Sequence, residues 1–176
     1  MPTIMSHAAV PIAGALILGR RKIPIPVMVA GIAFAMLPDA DVIGFRFGIE
    51  YADSWGHRGA THSLLFAAIA ALFATAILRP QKYLIASTFL FISMASHGLL
   101  DTLTNGGLGA ALLWPVDDAR YFAPFTPIAV SPIGLTNFIS ERGLRVLISE
   151  AIWIWTPLTA LTGAVLILRQ RSKKWQ

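Results

Sequence analysis

Cysteine is absent from the 176 residues, which excludes disulfides and thiolate metal sites and leaves the redox compartment unreadable. Charge is scarce. Asp, Glu, Lys and Arg make up 13% of the chain, against about 25% in a soluble domain. With 56% hydrophobic residues and a mean hydropathy of +0.67, water is not the main solvent of this surface. The net charge of +5 comes without any run of Lys and Arg interleaved with exposed aromatics, so no nucleic-acid partner is expected. No internal repeat or low-complexity tract is visible. There is no HExxH helix for a metalloprotease and no GxSxG elbow for a serine hydrolase.

What is present is a set of apolar runs, at residues 8–18, 23–37, 63–78, 83–100 and 151–168. Each is about 11 to 18 residues long, at or below the roughly 20 that cross a bilayer core. The last three read as transmembrane helices. The second does so despite Pro24 and Pro26 in its first turns, and the first is short enough to be half-spanning or tilted. The first is a poor secretory signal, because Pro11 interrupts it, no basic residue precedes it and no small-x-small site closes it. The fold expected is all-α: one integral-membrane domain over 1–176, a polytopic bundle of about five apolar helices. Loops are expected over 40–59 and, as a longer insert punctuated by Pro115, Pro124, Pro127 and Pro132, over 102–150.

If the five runs alternate across the bilayer, the charges sort themselves. Arg20, Arg21, Lys22, Arg79, Lys82, Arg169, Arg171, Lys173 and Lys174 fall on one side. The other side takes Arg46, Arg58, Arg120, Arg142 and Arg145, with all nine acidic residues and all four histidines. The positive-inside rule then assigns the basic loops to the cytoplasm and the N-terminus to the outside.

Four polar clusters meet at the outer face: "MSHAAV" with His7, "LPDADV" with Asp39 and Asp41, "GHRGATHSLL" with His57 and His62, and "SHGLLDTLTNGG" with His97 and Asp101. The i, i+4 spacing sets His97 and Asp101 on one side of a helix. An Asp at membrane depth costs about 2.5 to 3.5 kcal/mol on insertion scales and faces a partner or a cavity. A divalent cation, zinc first among them, answers that cost by ligating imidazole nitrogen and carboxylate oxygen together. The competing readings are helix caps, with Thr61 and Ser63 simply starting a helix, and a proton or ion pathway lined by the same groups. Which of Asp39 and Asp41, and which of His57 and His62, ligates stays open here, as does the oligomeric state.

The ordered set of His7, "LPDAD", "HRGATHSLL", "SHGLLDTLTNGG", "WPVDDARYFAPF" and "VSPIG" resembles the YdjM-like family of inner-membrane proteins, described as metal-dependent hydrolases and as LexA-regulated in some bacteria. The likeness covers most of the chain and implies a bacterial or archaeal cytoplasmic-membrane location. A more distant similarity is to the zinc-dependent phospholipase C and single-strand nuclease superfamily. That resemblance implies one metal on Asp41 or Asp39, His57 or His62, and His97, with Asp101 bridging to a second ion beside His7. The superfamily's further histidines and N-terminal Trp are missing, so a third metal is not expected. Two such cations lower the pKa of a bridging water and steady both oxygens of a phosphoester displacement. Asp101 would then be catalytic, with Arg58 and Arg120 holding phosphate oxygens and the aromatic stretch 114–125 at headgroup level. Membrane lipids are the expected partners, and a lipid or lipid-linked phosphoester the expected substrate.

Overall fold

In the computed structural model, which describes residues 1–131 and 138–174, every regular element is a helix. The chain runs through α1 (Ile4–His7), α2 (Ala9–Leu18), α3 (Ile25–Met36), α4 (Leu64–Leu78), α5 (Tyr83–Thr102), α6 (Glu141–Glu150) and α7 (Thr156–Lys174). A 3-10 stretch, Leu37–Phe47, continues α3, a single 3-10 turn, Ala60–His62, precedes α4, and a π turn, Ala151–Trp155, joins α6 to α7. Ile25–Phe47, Tyr83–Thr102 and Glu141–Arg171 are long and apolar enough to cross a membrane, while Ile4–Leu18 and Leu64–Leu78 are shorter apolar helices. The five apolar segments expected from the sequence are therefore the five helical columns of the bundle.

Local chemistry explains the boundaries. Pro24 precedes α3 with extended backbone and Pro26 lies in its first turn, where a missing N–H breaks no helical bond. Ser63 starts α4, its hydroxyl accepting the Phe66 N–H at 3.1 Å. Two boundaries differ from the expected ones. The loop expected from residue 40 is helical to Phe47, because Pro38 opens a tighter helix instead of ending α3. The insert expected to run to residue 150 ends at 140, where Ser140 caps α6 by accepting the Gly143 N–H. The "VSPIG" motif falls largely outside the described residues.

The core far from the histidines is built on small residues. Ala15, Ile23, Val27, Ala71, Ala86, Phe89 and Leu90 form its buried cluster. A Cβ on Gly31 would lie 2.4 Å from the Phe89 ring, so α3 accepts the ring only because it carries no side chain there. Close approach over glycine and alanine is how helices associate where surrounding lipid is as apolar as they are. At this same end Arg169 of α7 donates to the Ile17 carbonyl of α2, which brings the basic C-terminal segment beside the 20–22 loop.

Candidate metal centre

All four polar clusters arrive at the opposite end of the bundle. The 3-10 stretch separates the two carboxylates of "LPDAD". At about three residues per turn, positions two apart point roughly 120° away from each other, so Asp39 and Asp41 enter different surroundings. Asp39 joins His62, His97 and Asp101, and one donor atom from each lies within 4.8 Å of all the others. Asp41 joins His57 and His62 in a second group of the same compactness. His62 belongs to both, one ring nitrogen serving each.

The ring bonds fix which nitrogens face inward. His97 Nδ1–H donates to the Ala35 carbonyl at 2.7 Å. His62 Nδ1 lies 3.0 Å from Thr61 Oγ1 and 3.3 Å from Asp41 Oδ2, and the Thr61 hydroxyl itself donates to Asp41 at 2.8 Å. With both Nδ1 atoms occupied, the two Nε2 atoms face each other across 3.1 Å. Asp39 Oδ1 lies 3.2 Å from the first and 3.8 Å from the second. Asp101 Oδ2 is 3.4 Å from His62 Nε2 and 3.9 Å from His97 Nε2. Two bare imidazole lone pairs and two carboxylates cannot share that volume without positive charge between them. Burial lowers the proton affinity of the His62 ring, but its bonds to Asp101, Asp39 and Asp41 more than reverse this and raise its pKa to about 10.

Burial sharpens the demand. His7, His97 and Asp101 are fully buried, and His62 and Asp39 are 2% and 7% exposed. Yet both oxygens of Asp39, both of Asp101 and both nitrogens of His7 have no hydrogen-bond partner. Buried polar atoms are normally satisfied, and so many orphans converging on one point match the needs of a cation. The donor set of two imidazole nitrogens and two carboxylate oxygens suits a tetrahedral divalent ion. The Ala35 carbonyl and the Asp41–Thr61 pair behind the rings are the outer partners that ligating histidines usually have. The residues therefore fit a metal ion.

The other expected site residues surround this group. His7 stacks on His97, ring centroids 3.7 Å apart, with Nε2 3.7 Å from Asp101 Oδ1. His57 donates from Nδ1 to Asp41 Oδ1 at 2.7 Å, one step further out. Arg58 is fully buried and sits at φ 65°, a left-handed conformation that non-glycine residues seldom adopt. That turn aims its side chain inward: Nε is 3.0 Å from Asp101 Oδ2, Nη1 donates to the Gly106 carbonyl and Nη2 to Thr104 Oγ1. Arg120 lies further from the group. It donates to the carbonyls of His57 (2.6 Å), Tyr51 (3.1 Å) and Asp53 (2.8 Å), which ties the 114–125 stretch to the histidine loop. Gly98 completes the arrangement, since a Cβ there would stand 2.5 Å from the His62 carbonyl and hold the loop off α5.

One residue of this end escapes the sequence pattern. Glu150 is 1% exposed and bonded to the segment that carries His7. Its only sequence signal is a carboxylate beside the apolar run 151–168.

Comparison with known proteins agrees with the membrane architecture. A family model described as YdjM inner membrane protein matches residues 1–173. The Escherichia coli (strain K12) protein named Inner membrane protein YbcI is 46% identical over 166 residues, covering 93% of this chain and 96% of that one. A Bacillus subtilis (strain 168) protein, Uncharacterized protein YvsG, is 37% identical over 99 residues, or 52% of this chain and 59% of its own length. No solved structure matches. With a family match along nearly its whole length and a relative this similar end to end, the chain belongs to the YdjM family of inner membrane proteins.

Proposed function

We propose that this protein is a membrane-bound metal-dependent hydrolase that cleaves a phosphoester in a lipid or lipid-linked substrate at the outer face of the membrane. The observation that carries this reading is the convergence of Asp39, His62, His97 and Asp101 on one buried point, where all four carboxylate oxygens lack a hydrogen-bond partner. Zinc is the ion that best suits those donors. When bound, such an ion supplies a water of lowered pKa and polarises a phosphoryl oxygen. Around it, His62 and His97 present Nε2 because Asp41, Thr61 and the Ala35 carbonyl hold their other nitrogens. Asp101 sets one oxygen 3.4 Å from His62 Nε2 and the other 3.7 Å from His7 Nε2, where it would help to hold the ion and accept a water's proton. Arg58 supplies fixed positive charge 3.0 Å from Asp101, and Arg120 anchors the loop that carries His57.

A hydrocarbon chain has somewhere to lie. An apolar groove of about 450 Å³ runs between α2 and α5, lined among others by Val10, Gly14, Thr88 and Ser93. Val10 is three residues from His7 and Ser93 four from His97, so one end of the groove reaches the level of the site. The charge distribution supports the outward orientation, because the basic loops lie at the other end of the bundle. The ion-pathway alternative needs polar groups along the bundle's length. Among the described residues the buried ionisable ones are His7, Asp39, His57, Arg58, His62, His97, Asp101 and Glu150; the first seven gather around the metal centre, and Glu150 joins the same end through Thr3 and Ser6.

The test is to incubate detergent-solubilised, zinc-loaded protein with a total lipid extract and follow products by mass spectrometry, with Asp101→Asn as the blank. Products released by the wild type alone, from phospholipids or isoprenoid phosphates, are expected. Identical product sets from the two proteins would remove this substrate class and favour ion conduction. Because the chain has no native cysteine, single cysteines with an impermeant thiol reagent check orientation, and a cysteine at Arg79 should resist labelling from outside.

A further inference from the structure

The last long helix carries a buried carboxylate that the chemistry above does not use. Glu150 ends α6 and is 1% exposed, at a position where a bilayer-embedded helix has no reason to keep a charge unless something meets it. What meets it is the N-terminal segment. The Thr3 N–H donates to Oε1, and the hydroxyls of Thr3 and Ser6 both donate to Oε2, each at 2.7 Å. Trp155 adds a second fastening by donating its indole N–H to Ser6 Oγ at 2.9 Å. Glu150 and Trp155 are five residues apart, which in an α-helix sets them about 140° apart around the axis. The π turn at Ala151–Trp155, with its i→i+5 bonding, brings residues five apart close to one face. The irregular turn thus lets one helix grip Ser6 from two positions.

Ser6 is followed directly by His7, whose ring lies flat on His97 and whose Nε2 points at Asp101 Oδ1 with no other partner. We propose that Glu150 is a positioning residue for the metal site, fastening the Thr3–Ser6 segment so that His7 is held against His97 and Asp101. This inference rests on the metal-centre reading, and it makes α6 and the π turn after it part of the site although they contribute no ligand to it.

The test uses full-length protein in detergent with two readouts. Nitroxide labels at Met5→Cys and Leu147→Cys, both exposed in the native protein, report the distance between the N-terminal segment and α6 without any metal. The d–d absorption spectrum of the cobalt(II)-loaded protein reports the ligand field. Glu150→Ala should broaden the label distance, reproduce the spectral change of His7→Ala, and weaken cobalt affinity about 10- to 100-fold, the range for residues that support ligands. The double variant should be no worse than either single one. Ser6→Ala, which removes the Ser6 bonds to Glu150 and Trp155 together, leaves those of Thr3 and does not touch the buried acid, should move both readouts the same way by a smaller amount and serves if Glu150→Ala does not fold. A label distance unchanged in Glu150→Ala and Ser6→Ala overturns the fastening. A broadened distance with a wild-type spectrum, while His7→Ala alters it, overturns the link to His7. Wild-type protein that takes up no cobalt would instead overturn the metal reading, and the label distances would still decide whether Glu150 fastens the segment.

Discussion

The two ends of this bundle are made from the same helices and are held together by different physics. At the end with the basic loops, α3, α4 and α5 meet over alanine and glycine, with Phe89 seated on Gly31, and left-handed backbone is confined to the turns that end helices, at Gly19 and Arg79. At the other end the backbone is a long 3-10 stretch, a left-handed Arg58 and a π turn, and contacts run through buried hydrogen bonds between residues far apart in sequence. The first end is held mainly by close packing, with the Arg169 bond to the Ile17 carbonyl beside it. The second is left with orphaned donors and acceptors that packing cannot satisfy. Regular helices suffice where only volume must be filled, whereas directing several polar atoms at one point takes departures from regularity.

The sharpest way to break this contrast is to remove the ligands. Protein purified from cells should carry one to two equivalents of a transition metal, mostly zinc, and replacing His97 with Ala and Asp101 with Asn together should remove most of it, as elemental analysis would show. Unchanged metal content in that variant would mean that both ends are merely structural.

A matched pair of substitutions comes next. Gly31→Ala drives a Cβ against the Phe89 ring and should cost about 1 to 3 kcal/mol, the usual penalty for overpacking, with metal content unchanged. Gly98→Ala meets the His62 backbone instead, and should lower metal content along with melting temperature. If the two variants lose stability and metal in the same proportion, the ends are not independent.

Within the metal end, Asp39 and Asp41 should separate. Asp39→Asn removes a candidate ligand and should lower stoichiometry. Asp41→Asn removes only the support behind His62 and His57, and should weaken affinity about 10- to 100-fold at unchanged stoichiometry, measured by competition with a chelating dye. Equal effects would contradict the division that the 3-10 stretch imposes.

The smallest effect should come from Ser63→Ala. Its hydroxyl caps α4, and loss of an N-cap costs about 1 kcal/mol. Thermal unfolding followed by circular dichroism should show a modest shift, with metal content retained. A large loss of metal would give Ser63 a place in the site rather than at a helix start.

Much of this was legible in the residues because it depends on counting. The apolar runs announced five membrane columns, and their alternation placed every histidine at one face. The spacing of His97 and Asp101 set them on one side of a helix. Other features depend on irregular backbone that no periodicity announces. Pro38 reads as a helix stop and instead opens the 3-10 stretch, so the choice between Asp39 and Asp41 could not be made from "LPDAD". Arg58 reads as a phosphate clamp by residue type, and only the structure shows its left-handed backbone and its burial beside Asp101.

By itself the sequence determined the solvent, the class of fold, the separation of the polar cluster from the basic loops and the membership of that cluster, because hydropathy, charge asymmetry and helical spacing are additive along the chain. Only the tertiary structure decided which atoms meet. It turned Asp39 inward and Asp41 behind His62, made His62 the shared member of two groups, and joined Glu150 to a segment 147 residues away. Those choices follow from backbone turns of a few residues and from contacts between opposite ends of the chain, and neither leaves a periodic trace in the order of its amino acids.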